Sequence, residues 1–238
     1  MKPKSKISSA ICLISGGLDS ATVLGILLEQ GYKVYPRTFD YGQLHKREIQ
    51  SAKNIVSYYK DKYPGHLLPV GVVELGVLKT IGGSALTNHN ITVPTQRDNS
   101  EMSSHIPVTY VPGRNTILLS IALSIAETVD ADLVGIGVNH LDYSGYPDCR
   151  PEYIEAFNNL ARLSSKRAVE GHPIRIYAPL LKLTKSEIIK RGTEIGVPYH
   201  LTWSCYQGGG KPCGVCDSCI LRAQGFKEAG LEDPAIRP

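Results

Sequence analysis

With 238 residues, 42% of them hydrophobic and 20% charged, the chain has the composition of a globular protein that buries a sizeable core, which excludes a disordered segment. The net charge of +4 is small and the basic residues are dispersed, so there is no nucleic-acid footprint, although a mild positive balance suits an anionic nucleotide. No apolar run approaches the ~18 residues that cross a bilayer, and the short apolar stretch behind the basic start reads as a first strand, not as a signal peptide.

In chain order, residues 7–14 read as a buried strand and residues 19–30 as a helix stopped by Gly31. Between them stands Ser15-Gly16-Gly17-Leu18-Asp19-Ser20. An apolar strand, a glycine turn and a helix start together form a phosphate cradle. The glycines admit close backbone approach, and the first helical N–H groups present the positive end of the helix dipole to an anion. Ser15 and Ser20 add hydroxyl donors, and Asp19 adds a carboxylate able to hold Mg²⁺. The competing reading is an ordinary strand-to-helix turn capped by Asp or Ser. A Walker A loop is excluded, because no Gly-Lys-Ser/Thr follows at the required offset.

Residues 33–39 form the next expected strand, 44–59 a long helix with many exposed charges, and 67–75 a third strand. Residues 76–107 are rich in Gly, Ser, Thr, Asn and Pro with little periodicity, and a stretch of that length inside a compact domain points to a lid or binding loop. Residues 116–129 are apolar nearly all round and predict a core helix. A strand over 132–138, a helix over 151–165, a strand over 174–177 and a helix over 185–195 complete the alternation. The expected fold is therefore α/β, a doubly wound parallel sheet covered on both faces, with ligands at the carboxyl ends of its strands. Its expected organisation is a nucleotide-binding domain over residues 1–200 and a small C-terminal metal-binding region over 201–238.

That region contains Cys205, Cys213, Cys216 and Cys219, with two Cys-x-x-Cys steps and intervening glycines. Four thiolates at this spacing can wrap one tetrahedral Zn²⁺ in a closed, structural site. An iron–sulfur cluster is the rival, since it also takes four thiolates; disulfides are disfavoured because nothing marks the chain as secreted. Cys12 reads as a small core hydrophobe. Cys149, in a polar loop, has no such simple reading. His45 reads as an exposed helix residue in preference to a base.

The glycine string resembles the PP-loop of the ATP pyrophosphatases, SGGxDS. FDYGQLHKRE, YVPGRN, GVNHLDYSGYPDCRPEY and TWSCYQGGGKPCGVCDSC, taken with it, resemble the 7-cyano-7-deazaguanine synthase family over residues 15–234. The resemblance implies an adenine nucleotide alpha hydrolase-like, Rossmann-like fold. It implies an ATP-dependent ligase that converts 7-carboxy-7-deazaguanine and ammonia to a nitrile through adenylated carboxylate and amide intermediates, in queuosine or archaeosine synthesis. It further implies bound zinc, a cytoplasmic location and a homodimer, with no nucleic-acid or membrane partner. Residues 76–107 match the family least well.

On this reading Asp19, Ser20 and Arg114 are the expected catalytic residues, Arg114 because its fork suits an oxyanion. Nucleotide contacts are expected from Ile14, Ser15, Gly16, Gly17, Leu18, Asp19 and Ser20, running on into Ala21, Thr22, Val23 and Leu24. Asp40, Asp142, Ser144, Asp148 and Arg150 are candidates for substrate binding. The alternative is another enzyme of the PP-loop type, such as a tRNA-modifying thiolase or an amide synthetase.

Overall fold

The computed structural model describes residues 7–141 and 146–236. Strands β1 (Ser9–Leu13), β2 (Lys33–Asp40), β3 (Gly71–Glu74), β4 (Leu133–Gly135) and β5 (Arg175–Tyr177) form one parallel sheet in the order β3-β2-β1-β4-β5. The helices are α1 (Leu18–Glu29), α2 (Arg47–Lys60), α3 (Val77–Ile81), α4 (Asn99–Ser104), α5 (Arg114–Thr128), α6 (Pro151–Ser164), α7 (Lys166–Val169), α8 (Lys185–Glu194) and α9 (Asp217–Ala229). This is the doubly wound α/β arrangement expected. No described helix is long and apolar enough to cross a membrane.

Alternation along β1 divides the interior into two cores. Ala10, Cys12 and Ile14 join Leu24 and Leu27 of α1, Ile55 of α2, Ile188 of α8 and Phe226 of α9 on one face. Ile11 and Leu13 join Leu119 and Ala122 of α5 and Phe157 of α6 on the other. Because β1 pairs with β2 on one side and β4 on the other, the strand order reverses beside it. The chain leaving β1 thus opens into the crevice where such sheets bind ligands.

Several elements differ from the sequence expectation. The third strand is confined to Gly71–Glu74, with Leu67 making a single bridge to Val34; Pro69 between them has no N–H to donate. The strand expected over 132–138 stops at Gly135. Residues 44–46 precede α2 instead of joining it, because Gln43 forms a turn in which its side chain bonds Tyr41 N–H and Phe39 carbonyl. The helix expected to lie wholly in the core, α5, buries Leu119, Ala122, Leu123 and Ala126 but leaves Ser120 and Ser124 exposed and Ile121 and Ile125 half-buried. Residues 76–107 contain α3 and α4, the latter started by a capping box of Asp98 and Glu101.

The C-terminal region is fastened by one buried ion pair. Arg222 of α9 donates to both carboxylate oxygens of Asp233 at 2.6 and 2.8 Å, to Thr202 Oγ1 at 2.7 Å and to the Tyr199 carbonyl at 3.1 Å. The two charged side chains are 7% and 6% exposed. Breaking such a pair from one side strands a buried charge, so Arg222→Ala is expected to destabilise the protein by about 3 kcal/mol. Urea unfolding checks this through the transition midpoint.

Candidate active site

The loop leaving β1 is pressed against the start of α2. Gly16 has φ +92°, and a Cβ there would lie 2.2 Å from the Glu48 carbonyl oxygen and 2.8 Å from Ala52 N. From the other side, a Cβ on Gly137 would lie 2.8 Å from Ser20 N. Only glycine fits either approach. The two serines that the sequence offers as phosphate donors shape this loop: Ser15 Oγ accepts the Gly17 N–H at 3.2 Å, and Ser20 Oγ accepts the Ser15 N–H at 3.2 Å while donating to the Gly17 carbonyl at 3.0 Å. Gly17 is the N-cap residue of α1 and offers no capping side chain. Its first N–H groups therefore have no partner inside the helix.

This helix end faces a cavity of about 320 Å³. Asp19 stands on its wall, and both carboxylate oxygens accept from Lys185 Nζ at 2.9 Å. Lys185 is the first residue of α8, with its side chain 16% exposed. Arg114, the first residue of α5, points its guanidinium at the Tyr41 ring and among the described residues makes one long hydrogen bond, 3.5 Å, to the Tyr41 hydroxyl. Tyr41 is buried, and burial pushes its phenol above the usual range. Glu48, in the first turn of α2, also lines the cavity, and burial pushes its carboxyl up to about 7 against the attraction of Arg114.

The far wall comes from the C-terminal region. Trp203 N–H donates to the Gly16 carbonyl at 2.9 Å, and the Arg47 guanidinium lies 4.7 Å over the Trp203 ring. Behind Trp203, the sulfurs of Cys205, Cys213, Cys216 and Cys219 lie within 4.8 Å of one another. The Cys213 and Cys219 sulfurs are 4.0 Å apart. A tetrahedral ion with bonds of about 2.3 Å needs ligand sulfurs about 3.8 Å apart. The cluster thus suits a single ion such as zinc, and is too tight to enclose several iron atoms. Backbone N–H groups of Cys213 and Cys216 point at Cys205 and Cys213 sulfurs at 3.4 and 3.3 Å, as expected where thiolates take negative charge.

Of the residues expected from sequence, Ile14, Ser15, Gly17, Leu18, Asp19, Ser20 and Arg114 line the cavity. Ala21, Val23 and Leu24 are buried in the core behind it, and Thr22 bonds the Tyr199 hydroxyl at 2.8 Å. Asp40 is off the wall, paired with Lys46 at 2.8 Å, which holds its carboxyl below the usual range. Asp148 is buried behind the wall, its Oδ2 accepting the Asn115 N–H at 3.1 Å, and Arg150 is exposed. Asp142 and Ser144 lie outside the described residues. Cys149 is buried, and burial pushes its thiol up to about 12, so it stays protonated. Sequence reasoning missed Lys185, Glu48 and Trp203. For Lys185 the only signal was a lysine directly after Thr184, the cap of α8.

Comparison with known proteins bears on what this site does. A family model described as queuosine biosynthesis protein QueC matches residues 9–230. A 7-cyano-7-deazaguanine synthase of Acetivibrio thermocellus is 53% identical, over 94% of this chain and 95% of that protein. Those of Trichodesmium erythraeum and Coxiella burnetii are 52% and 50% identical, over 95% and 96% of this chain and 99% and 97% of theirs. Among solved structures, a 4-thiouridine synthetase in an RNA complex with bound ATP matches with a TM-score of 0.56 at 20% identity, over 96% of this chain and 48% of that one. That likeness is one of fold, and this chain spans about half the length of that protein.

The packing around Gly16 yields a direct test. Gly16→Ala puts a methyl group where the α2 backbone already stands, so the loop must move away from α2 and Trp203. Nucleotide affinity is expected to fall at least ~10-fold, with a loss of stability of about 1–3 kcal/mol. Calorimetric titration with ATP and a melting curve measure the two effects.

Proposed function

We infer the reaction from family membership: the chain belongs to the queuosine biosynthesis protein QueC family. It is an ATP-dependent ligase of queuosine biosynthesis, like the 7-cyano-7-deazaguanine synthases it matches. We further propose that it joins 7-carboxy-7-deazaguanine and ammonia, through adenylated carboxylate and amide intermediates, to give 7-cyano-7-deazaguanine. The observation that carries this reading is one cavity shared by an uncapped helix N-terminus and by Arg114, a guanidinium with a single long hydrogen bond among the described residues. The first suits the phosphates of ATP, and the second a carboxylate.

A carboxylate is a poor electrophile because oxide is a poor leaving group. Attack of its oxygen on the α-phosphorus of ATP, with loss of pyrophosphate, makes an acyl adenylate. Ammonia then adds, AMP leaves and an amide forms. Attack of the amide oxygen on a second ATP and loss of AMP give the nitrile. The protein's part is positioning and stabilisation of charge. Backbone N–H groups of Leu18, Asp19 and Ser20 hold phosphate, Lys185 neutralises it, and Arg114 orients the oxygen being activated. Asp19 would supply one carboxylate to Mg²⁺, an ion that takes one or two carboxylates beside phosphates and water. Zinc held by Cys205, Cys213, Cys216 and Cys219 would supply structure only, since four protein ligands leave no open position. The functional unit is a homodimer in the cytoplasm. Asp142 and Ser144 remain candidates for the purine-like edge.

Incubation with ATP, ammonium and 7-carboxy-7-deazaguanine is expected to give the nitrile, AMP and pyrophosphate by mass spectrometry; ADP as the nucleotide product would overturn the adenylation route. Arg114→Ala is expected to weaken binding of the deazapurine acid about 10- to 100-fold with a smaller effect on ATP, as loss of a charged hydrogen-bonding group implies. Asp19→Ala should abolish turnover without a large change in melting temperature.

A second expectation concerns the cysteines. Elemental analysis should find about one zinc per chain and no visible absorbance. Chelation should lower the melting temperature and ATP affinity together, because Trp203 ties this region to Gly16.

A further inference from the structure

We propose that Glu48 is the general base of this site, taking the nitrogen proton as the amide forms and again as the nitrile forms. The proposal rests on the reaction inferred above. Asp19 and Glu48 are the acidic residues on the wall of the cavity. Asp19 is committed elsewhere: both oxygens accept from Lys185, and the reaction inferred above gives that carboxylate to Mg²⁺. The Glu48 carboxyl has no hydrogen-bond donor among the described residues, and the half-buried residue lines the cavity. A half-buried carboxyl with no internal donor is left free to take a proton from a bound molecule.

The backbone around Glu48 is fixed. Its carbonyl is the atom against which Gly16 packs, so the carboxyl is anchored beside the nucleotide loop by the first turn of α2. The groups that face it electrostatically are Arg114 of α5 and the Tyr41 phenol, with His45 on the same cavity wall. Arg114 and Glu48 thus present a cation and a base to one space. The cation suits the oxygen that carries AMP, and the base suits the nitrogen on the same carbon. A carboxyl held near 7 is also matched to accept a proton at neutral pH and to release it afterwards. Cys149, the other buried acid on the wall, stays protonated and cannot do this.

The proton balance requires such an acceptor in both halves of the reaction. When ammonia attacks the acyl adenylate, the C–N bond forms, one N–H proton passes to Glu48, and the C–O bond to AMP breaks with its electron pair leaving on AMP. In the second half, the O-adenylylated amide loses two nitrogen protons, one to Glu48 and one to water. The C–O bond again breaks toward AMP, and the third C–N bond closes. Between the halves Glu48 returns its proton to solvent through the mouth of the cavity.

Glu48→Gln keeps size and shape while removing the base. With the variant, pyrophosphate exchange into ATP that depends on the deazapurine acid is expected to stay within about threefold of the parent, since adenylation needs no base at nitrogen. Nitrile formation from ammonium is expected to fall ~100-fold or more. Hydroxylamine, which is uncharged at neutral pH and loses its proton readily to water, should restore capture of the acyl adenylate as hydroxamate. Glu48→Asp should recover part of the ammonium-dependent rate. Undiminished nitrile formation by Glu48→Gln overturns the proposal, and so does loss of the exchange reaction, which would assign Glu48 to adenylation. If the parent protein makes no nitrile at all, the functional reading fails and this proposal falls with it.

Discussion

A helix that begins without a capping side chain leaves its first N–H groups in need of a partner, and in α1 that deficit faces a cavity. Much of the molecule keeps it so. The serines beside the loop are turned inward on each other and on Gly17, which fixes the turn without spending the helical N–H groups. Gly16 and Gly137 let α2 and the end of β4 close on the loop from two sides. The strand order then determines that this happens at the reversal point beside β1, where crossing helices diverge and leave room for a ligand.

Charge around the cavity follows from that need. Lys185 and Arg114 are cations on different helices, and each stands at the start of its helix. Lys185 is matched to Asp19, but among the described residues Arg114 has the Tyr41 hydroxyl at long range and the diffuse attraction of Tyr146, Glu48 and Asp148. A guanidinium in that position is prepared for an oxyanion to complete its shell. Asp148, although close by in sequence to the other candidates, is used to hold the first turn of α5 through Asn115. It positions Arg114 from behind.

The cysteine region belongs to the same construction. Trp203 bonds the Gly16 carbonyl, Arg47 stacks on Trp203, and Phe226 of α9 enters the main core. The segment between α3 and α5 is clipped to it: Thr95 bridges Cys216, Gln96 N–H bonds the Val215 carbonyl at 2.8 Å, and Arg97 pairs with the buried Asp217. On the other side, the Leu86 carbonyl accepts from Leu44 N–H at 2.9 Å, and Leu86 lines the cavity. Residues expected from composition to form a lid or binding loop are therefore held at two points within the segment, and a metal that orders the cysteines would also order a wall of the cavity.

What the sequence determined by itself was whatever depends on neighbours along the chain. The Ser15–Ser20 turn, the alternation of strand and helix and the Cys-x-x-Cys spacing are local patterns, and each appears where expected. Their family resemblance agrees with the relatives found. Short-range chemistry also explains the departures: Pro69 shortened β3 and Gln43 delayed α2. Tertiary structure alone decided which polar residues face the cavity. Asp40 and Asp148 look as apt as Glu48 in sequence, yet Lys46 and Asn115 claim them. Lys185 reaches Asp19 across 166 residues. No periodicity records such pairings, because a side chain's partner is set by where helices cross and not by what precedes it.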